Sequence, residues 1–492
     1  LNQNPGVAVT ATSLTTGTGT IDFVQTGNEA LTVTLAQTTD GTITIQNTGD
    51  ADADALTLTS VTAGGTGEVN ATTLTAGDVL VGSATADTNT VTITSAGAIN
   101  DAAADSTIDI TVGTGTIDLN AVDGIGNMAA LELAGTSISS DTSAGAIDLD
   151  NGLATDVTVT SLTTVGSTIT FDQSGGGNVS FDGTVSSGNA GTAGDDILLS
   201  AANGDLTINA AVESRSADVT ATSTENIVVT APGSITSVGG NVVLNSDTDT
   251  ATSSGGGIRV LGTVNSTGGN ITLGGGADPA TTNTVATTTS GNDGIQIVGG
   301  TLDAGSGDIS LRGSSALDDG VGIQNGATIQ TTSGTISLNG TSTTVSGNDG
   351  VEITGIGTTV TSATGSISVT GVGFSGDGVD VSSAAVVAST GTATITIGGT
   401  STAADQAGVR LQGTNTQITS VDGDVSITGT NNSNLGAFVT SGVEISSTGT
   451  GASAATITIT GTGDAGIDLD TADTLVTSVD GEILLDGNAN TL

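Results

Sequence analysis

Residues 334–355 read GTISLNGTSTTVSGNDGVEITG. Two short strands, TISL at 335–338 and VEIT at 351–354, each alternate apolar with polar residues. That alternation marks a strand with one buried and one wet face. Between them runs a stretch of Thr, Ser, Gly, Asn and Asp, residue types that suit corners. The phrase returns as GDISLRG at 307–313, GSISVTG at 365–371 and GDVSITG at 423–429.

Aligning the phrases gives inward pairs at Ile309/Leu311, Ile336/Leu338, Ile367/Val369, Ile395/Ile397, Val425/Ile427, Ile457/Ile459 and Ile483/Leu485, a mean period of about 29 residues. A second series follows a glycine at Ile295, Val321, Val351, Val379, Val409, Val443 and Ile467. A third, weaker one lies around Leu302, Ile329, Val360, Val387, Ile418 and Val476, and the coil starting at Gly442 reads as short, lacking most of this strand. No stretch carries an apolar 3.6-residue period, and the β-branched content disfavours helix. Three short strands per ~29-residue turn describe an all-β parallel solenoid in which each coil buries its apolar face only against its neighbours. Only Pro5, Pro232 and Pro279 occur, as expected where nearly every strand must keep its N–H for pairing.

The N-terminal part is less regular but carries an echo. VTATSLTTGTGTIDFVQ at 9–25 returns as VTVTSLTTVGSTITFDQ at 157–173, an offset read as about five coils. The expectation is one continuous solenoid of roughly 17 coils, with less regular coils over 1–255 and regular ones over 256–492. The SSGGG at 253–257 marks a sub-boundary in texture. At ~4.8 Å per coil such a stack would be about 80 Å long.

Composition narrows function. The 492 residues include no Cys, His, Trp, Tyr or Lys, four Arg, and 50 acids (42 Asp, 8 Glu), for a formal charge of −46. Nucleic acid is an unsuitable partner, because binding it takes Lys and Arg to displace counterions. Anionic membrane surfaces are equally unsuitable, and no apolar run approaches the ~20 residues of a spanning helix, so no membrane insertion is expected. The opening LNQNPGVAVT lacks an initiator Met, a basic region and an apolar region, and reads as a processed start or a segment of a longer chain. VAVTATS and EILLDGNANTL stop in mid-pattern, so either the repeat continues or the ends dock head to tail on other copies.

The GDISLRG, GTISLNG, GSISVTG and GDVSITG phrases with their Ser/Thr-rich corners resemble repeats of large bacterial surface exoproteins, the filamentous-haemagglutinin-like and autotransporter-type adhesins. The resemblance implies a right-handed parallel β-helix exported to the cell surface as adhesin stalk, filament or coat, with a glycan or cell-surface receptor as partner.

Candidate chemistry is sparse. The corner before the second strand carries Asn292-Asp293-Gly294, Asp318-Asp319-Gly320, Asn348-Asp349-Gly350 and Asp377-Gly378, lapsing at Ala407 and Ser441. Stacked one coil apart, the carboxylates of Asp293, Asp319, Asp349 and Asp377 would repel unless protonated or screened. Ca²⁺ is the ion that such hard oxygen ligands would take; good turn chemistry accounts for the same residues without an ion, and no cofactor is required. GTAGDDIL at 191–198 resembles one copy of a glycine–aspartate calcium nonapeptide, without tandem repeats. Thr92/Thr94 and Thr458/Thr460 could contribute a flat hydroxyl face of the ice-binding kind, or simply fill outward strand positions that suit Thr. A polysaccharide-cleaving β-helix enzyme is the alternative function: it would need paired carboxylates and an Arg in one groove. No Ser has a His or Lys base, and Phe23, Phe171, Phe181, Phe374 and Phe438 stand isolated in the sequence. The expectation is therefore an extracellular structural protein of the bacterial cell surface and not an enzyme.

Overall fold

The computed structural model describes residues 2–3, 6–189, 191–249, 256–286, 293–343, 347–451, 454–470 and 473–489. The expected sub-boundary at Ser253-Ser254-Gly255 and the corner residue Asn292 lie outside them. The chain forms two compact units, residues 1–218 and 219–492. Each is a parallel β-helix, and the described residues contain no α-helix.

In the second unit the register is the one the repeat predicts. The pairs run Ile309↔Ile336↔Ile367↔Ile395↔Val425↔Ile457↔Ile483, each strand hydrogen-bonded to the next coil in parallel. From Ile309–Ser315 onward these strands have seven residues and form a long-strand sheet. A middle sheet stacks Ile295, Val321, Val351, Val379 and Val409. A closing sheet stacks Leu302, Ile329, Val360, Val387, Ile418, Ile445 and Val476. All the inward residues of the coils from Ile295 to Ile459 are buried.

One coil corrects the sequence reading. Ala437, not Val443, continues the middle sheet, pairing with Val409 and Ile467. Val443 leads instead into Glu444–Ser447, a full closing strand. The phrase GVEI at 442–445 mimics GVEI at 350–353, whereas the true partner, Leu435–Thr440, puts a small alanine where other coils put Val or Ile.

The early coils of the first unit are shorter. Ile21↔Ile43↔Val69↔Val91↔Ile117 are separated by 22, 26, 22 and 26 residues, so the 29-residue period belongs to the second unit. Three sheets again close each coil until Asp101, after which one narrows to single bridges at Ile125 and Ile147. That narrowing shifts the sequence echo. Ile21–Gln25 pairs with Ile43–Asn47 in one sheet, whereas its echo Ile169–Gln173 pairs with Ile147–Asn151 and Ile197–Ala201 in another. The offset of 148 is therefore not a whole number of coils. Phe171 and Phe181, isolated in sequence, meet edge to face in the core with ring centroids 5.7 Å apart.

Two devices fix the corners. Where the chain turns into a new strand, a buried hydroxyl bonds the carbonyl a few residues ahead, as Thr331 Oγ1 does to Gly334 (2.7 Å) and Thr142 Oγ1 to Gly145 (2.9 Å). On the outside, an Asp or Asn oxygen accepts the N–H of the next coil. Asn241, Asn270 and Asp308 cap Asn270, Asp308 and Thr335 in succession (3.0, 2.9 and 2.7 Å), and Asp40 caps Thr66 (2.9 Å). Much of the acid content is thus a set of staples between coils.

Candidate functional site

Each long strand of the second unit ends by crossing the start of the middle sheet, glycine against glycine. A Cβ on Gly340 would lie 1.8 Å from the Gly350 oxygen, and one on Gly371 1.8 Å from that of Gly378. Beyond this seam the chain makes a short loop and returns through the Asp-Gly corner. The described corner residues lie against the outward face of the middle strands, as Asp377 does against Arg410, and the nominally wet positions there are partly or wholly buried. Those positions form a column: Gln296, Gly322, Glu352, Asp380, Arg410 and Phe438.

The four expected corner carboxylates do stack along this column. Asp319 N–H donates to Asp293 Oδ1 (3.3 Å), Asp349 N–H to Asp319 Oδ1 (2.6 Å), Asp377 N–H to Asp349 Oδ1 (2.6 Å) and Ala407 N–H to Asp377 Oδ1 (2.5 Å). Each carboxylate therefore staples the coil that follows, as turn chemistry would have it. Unlike the outer staples these groups are enclosed: Asp293, Asp319 and Asp377 are 2, 8 and 4% exposed. They also face other acids. Asp318, Glu352 and Asp380 point into the same space, forming an acidic trough that the sequence reading did not assemble.

Burial, and then neighbouring charge, govern its titration. Burial with the Asp319 and Asp318 charges pushes Asp293 up to about 8. Burial with Asp377 and Asp319 pushes Asp349 to about 9, and burial with Asp319 and Asp380 pushes Glu352 to about 8. Asp380 rises to about 7 for want of water beside Asp377. Asp319 rises only to about 6, because the Asp349 N–H bond favours its charged form.

Arg410 closes the trough at one end. Its Nη2 donates to Asp377 Oδ1 (3.1 Å) and its Nε to Oδ2, and it lies over the Phe438 ring with its guanidinium carbon 5.2 Å from the centroid. Further along, two sets of three acids each bring one oxygen within 4.8 Å of the others: Asp293, Asp318 and Asp319, and Asp349, Glu352 and Asp380. A third set, Asp101, Asp109 and Glu132, lies in the first unit. Three acids spaced like this suit a hard cation.

Sequence reasoning found the Asp-Gly corners and missed Asp318 as a ligand, Glu352, Asp380 and Arg410. The signal was present as a column, since V-E-I, V-D-V and V-R-L occupy the same register in successive coils. The other candidates do not come together. Asp195 and Asp196 are exposed, and Asp196 staples Asp218 N–H (3.0 Å). Thr458 continues a hydroxyl row of Ser310, Ser337, Ser368, Thr396 and Ser426, but the row beside it mixes Arg312, Asn339, Thr370 and Gly398. Thr92 is flanked by Asn70 and Asp118.

No protein-family model matches the chain, and no curated protein and no solved structure matches it.

Proposed function

We propose that the chain is a structural module of an extracellular bacterial surface protein, a β-helical stalk, filament or coat segment acting through adhesion or self-assembly. One observation carries this reading: the outer wall repeats lengthwise. Ser310, Ser337, Ser368, Thr396, Ser426 and Thr458 present a hydroxyl at the same place in six successive coils. A wall of that kind offers a long, even contact surface, suited to a glycan or a receptor, in place of one reactive centre. The charge of −46 supports a soluble, mutually repelling surface in salt-rich surroundings.

Lengthwise addition of coils is the self-association we propose. In the described coil at 467–489, the inward Leu469, Ile483 and Leu485 are 41, 40 and 47% exposed on strands with one unpaired edge. Another coil, whether more of the same repeat or a second copy head to tail, would cover them. Negative-stain electron microscopy of the purified chain tests this part: end-to-end threads one molecule thick support it, and separate particles at every concentration remove self-assembly.

A polysaccharide-cleaving enzyme remains the second reading, because carboxylates and an Arg do converge at Glu352, Asp380, Asp377 and Arg410. Against it, Asp377 and Asp380 are 4 and 6% exposed, and Arg410 is tied to Asp377, so a sugar ring has no approach to them. Turnover in a panel of neutral and acidic glycans that disappears in Glu352→Gln would establish the enzyme and overturn the structural reading.

A further inference from the structure

Asp293 differs from every other staple in the trough. It is 2% exposed, its Oδ1 accepts the Asp319 N–H, and its Oδ2 is buried with no hydrogen-bond partner. An enclosed carboxylate oxygen left without a donor is costly, and more so when it is charged. The local sequence makes room for it. Gly322 is the one glycine in the column Gln296, Gly322, Glu352, Asp380, and a Cβ there would lie 2.0 Å from Asp293 Oδ2. The column therefore leaves out a side chain where the orphaned oxygen points.

The molecule shows what such a carboxylate does when a cation is available. Three coils on, Asp377 makes the same staple through Oδ1, and the guanidinium of Arg410 takes both its oxygens. Beside Asp293 the place equivalent to Arg410 is held by Gly322; Arg259 stands in the same column but on the far side of Gln296, in the coil before, and the chain has no Lys. What stands near Asp293 is two more carboxylates, Asp318 from the loop and Asp319 from the corner.

We propose that Asp293, Asp318 and Asp319 form a binding site for a hard divalent cation, Ca²⁺ by preference, which cross-links two successive coils where Arg410 does so further along. Two oxygens bound to one Ca²⁺ at about 2.4 Å each can be no more than about 4.8 Å apart, and the three carboxylates meet that limit. Mg²⁺ demands strict octahedral geometry and gives up its waters reluctantly, which favours Ca²⁺ at a site of three protein carboxylates. Asp318, half-buried at the loop, leaves a side from which water completes the shell. The sequence reading expected a ladder of Asp293, Asp319, Asp349 and Asp377. The geometry keeps the first two, adds Asp318, and gives Asp377 to Arg410.

The test is calorimetric titration of the chelator-stripped full chain with CaCl₂ at physiological salt, with melting temperature read in parallel. Wild type is expected to show a class of site tighter than diffuse binding to the acidic wall, and to melt higher with Ca²⁺ than with chelator. Asp293→Asn, Asp318→Asn and Gly322→Ala should each weaken that class at least about tenfold. Asp40→Asn, on an exposed staple of the first unit, should leave it unchanged. In chelator, Asp293→Asn should melt no lower than wild type, because it removes a repelled carboxylate while keeping an acceptor for Asp319 N–H. Should Gly322→Ala fail to fold, Asp318→Asn decides, since it touches no seam. Equal affinity in wild type and both Asp→Asn variants, or no Ca²⁺ binding above the diffuse background, would overturn the site.

Discussion

Arg410 and Asp377 form a two-pronged ion pair across adjacent coils, with side chains only 17 and 6% exposed. The same carboxylate also holds Ala407 N–H, so one Asp carries both a backbone staple and a guanidinium. Arg410 is thus the internal counter-ion for an acidic trough.

Removing it should be expensive. Arg410→Met leaves Asp377 and Asp380 enclosed without their cation, and breaking a buried pair this way costs about 3–5 kcal/mol. Arg410→Lys should recover only part, because an ammonium cannot take both carboxylate oxygens in one plane. Urea midpoints for the three proteins at neutral pH check this; a midpoint unmoved in Arg410→Met would show the pair to be ornamental.

The seam makes a sharp contrast between neighbouring glycines. A Cβ on Gly399 would sit 1.9 Å from the Gly408 oxygen, whereas one on Gly398 would meet nothing within 4 Å. Gly399→Ala should therefore cost about 3 kcal/mol or more. Gly398→Ala should stay within about 0.5 kcal/mol or stabilise by up to about 1. Equal denaturation midpoints for the pair would contradict the crossing of long and middle strands.

At the corners, Thr331→Val removes the hydroxyl that bonds the Gly334 carbonyl (2.7 Å) and Ser362 Oγ (3.0 Å) in a buried turn. A loss of about 1–2 kcal/mol is expected, and a calorimetric melt that matches wild type would show that the hydroxyl does not hold the turn.

The first unit offers a pH test. Asp109 is 3% exposed, and burial, then the Asp101 charge, push it up to about 8; burial also raises Glu132 beside it. A carboxyl raised in the folded state binds its proton more tightly there than when unfolded, near 3.9. Its stabilising contribution is full below about pH 4 and is lost as pH climbs through 8. Asp109→Asn, which stays neutral, should match wild type near pH 4 and melt higher at pH 9. Parallel melting curves at both pH values would refute the shift.

Much of this was legible from the chain. The alternating strands, the 29-residue period from Ile309 to Ile483 and the Asp-Gly corners follow from local pattern, because a solenoid repeats its contacts with its sequence. Two things were not. The coil at 435–447 was misread because GVEI is a better copy of the motif than GAFV, though GAFV holds the middle-sheet place. The trough was missed because alternation marks Glu352, Asp380 and Arg410 as solvent-facing; their burial depends on the Asp-Gly corners returning over them, and that return is written only in two facing glycine columns, such as Gly340 against Gly350. The echo at 157–173 failed for a related reason, since the coils between the copies change width.

Immunogold labelling of intact cells that make the protein tests the central claim most directly. The account predicts label on the outer surface, along threads or a coat, removed by brief external protease. Label found only inside cells after permeabilisation would contradict an extracellular scaffold.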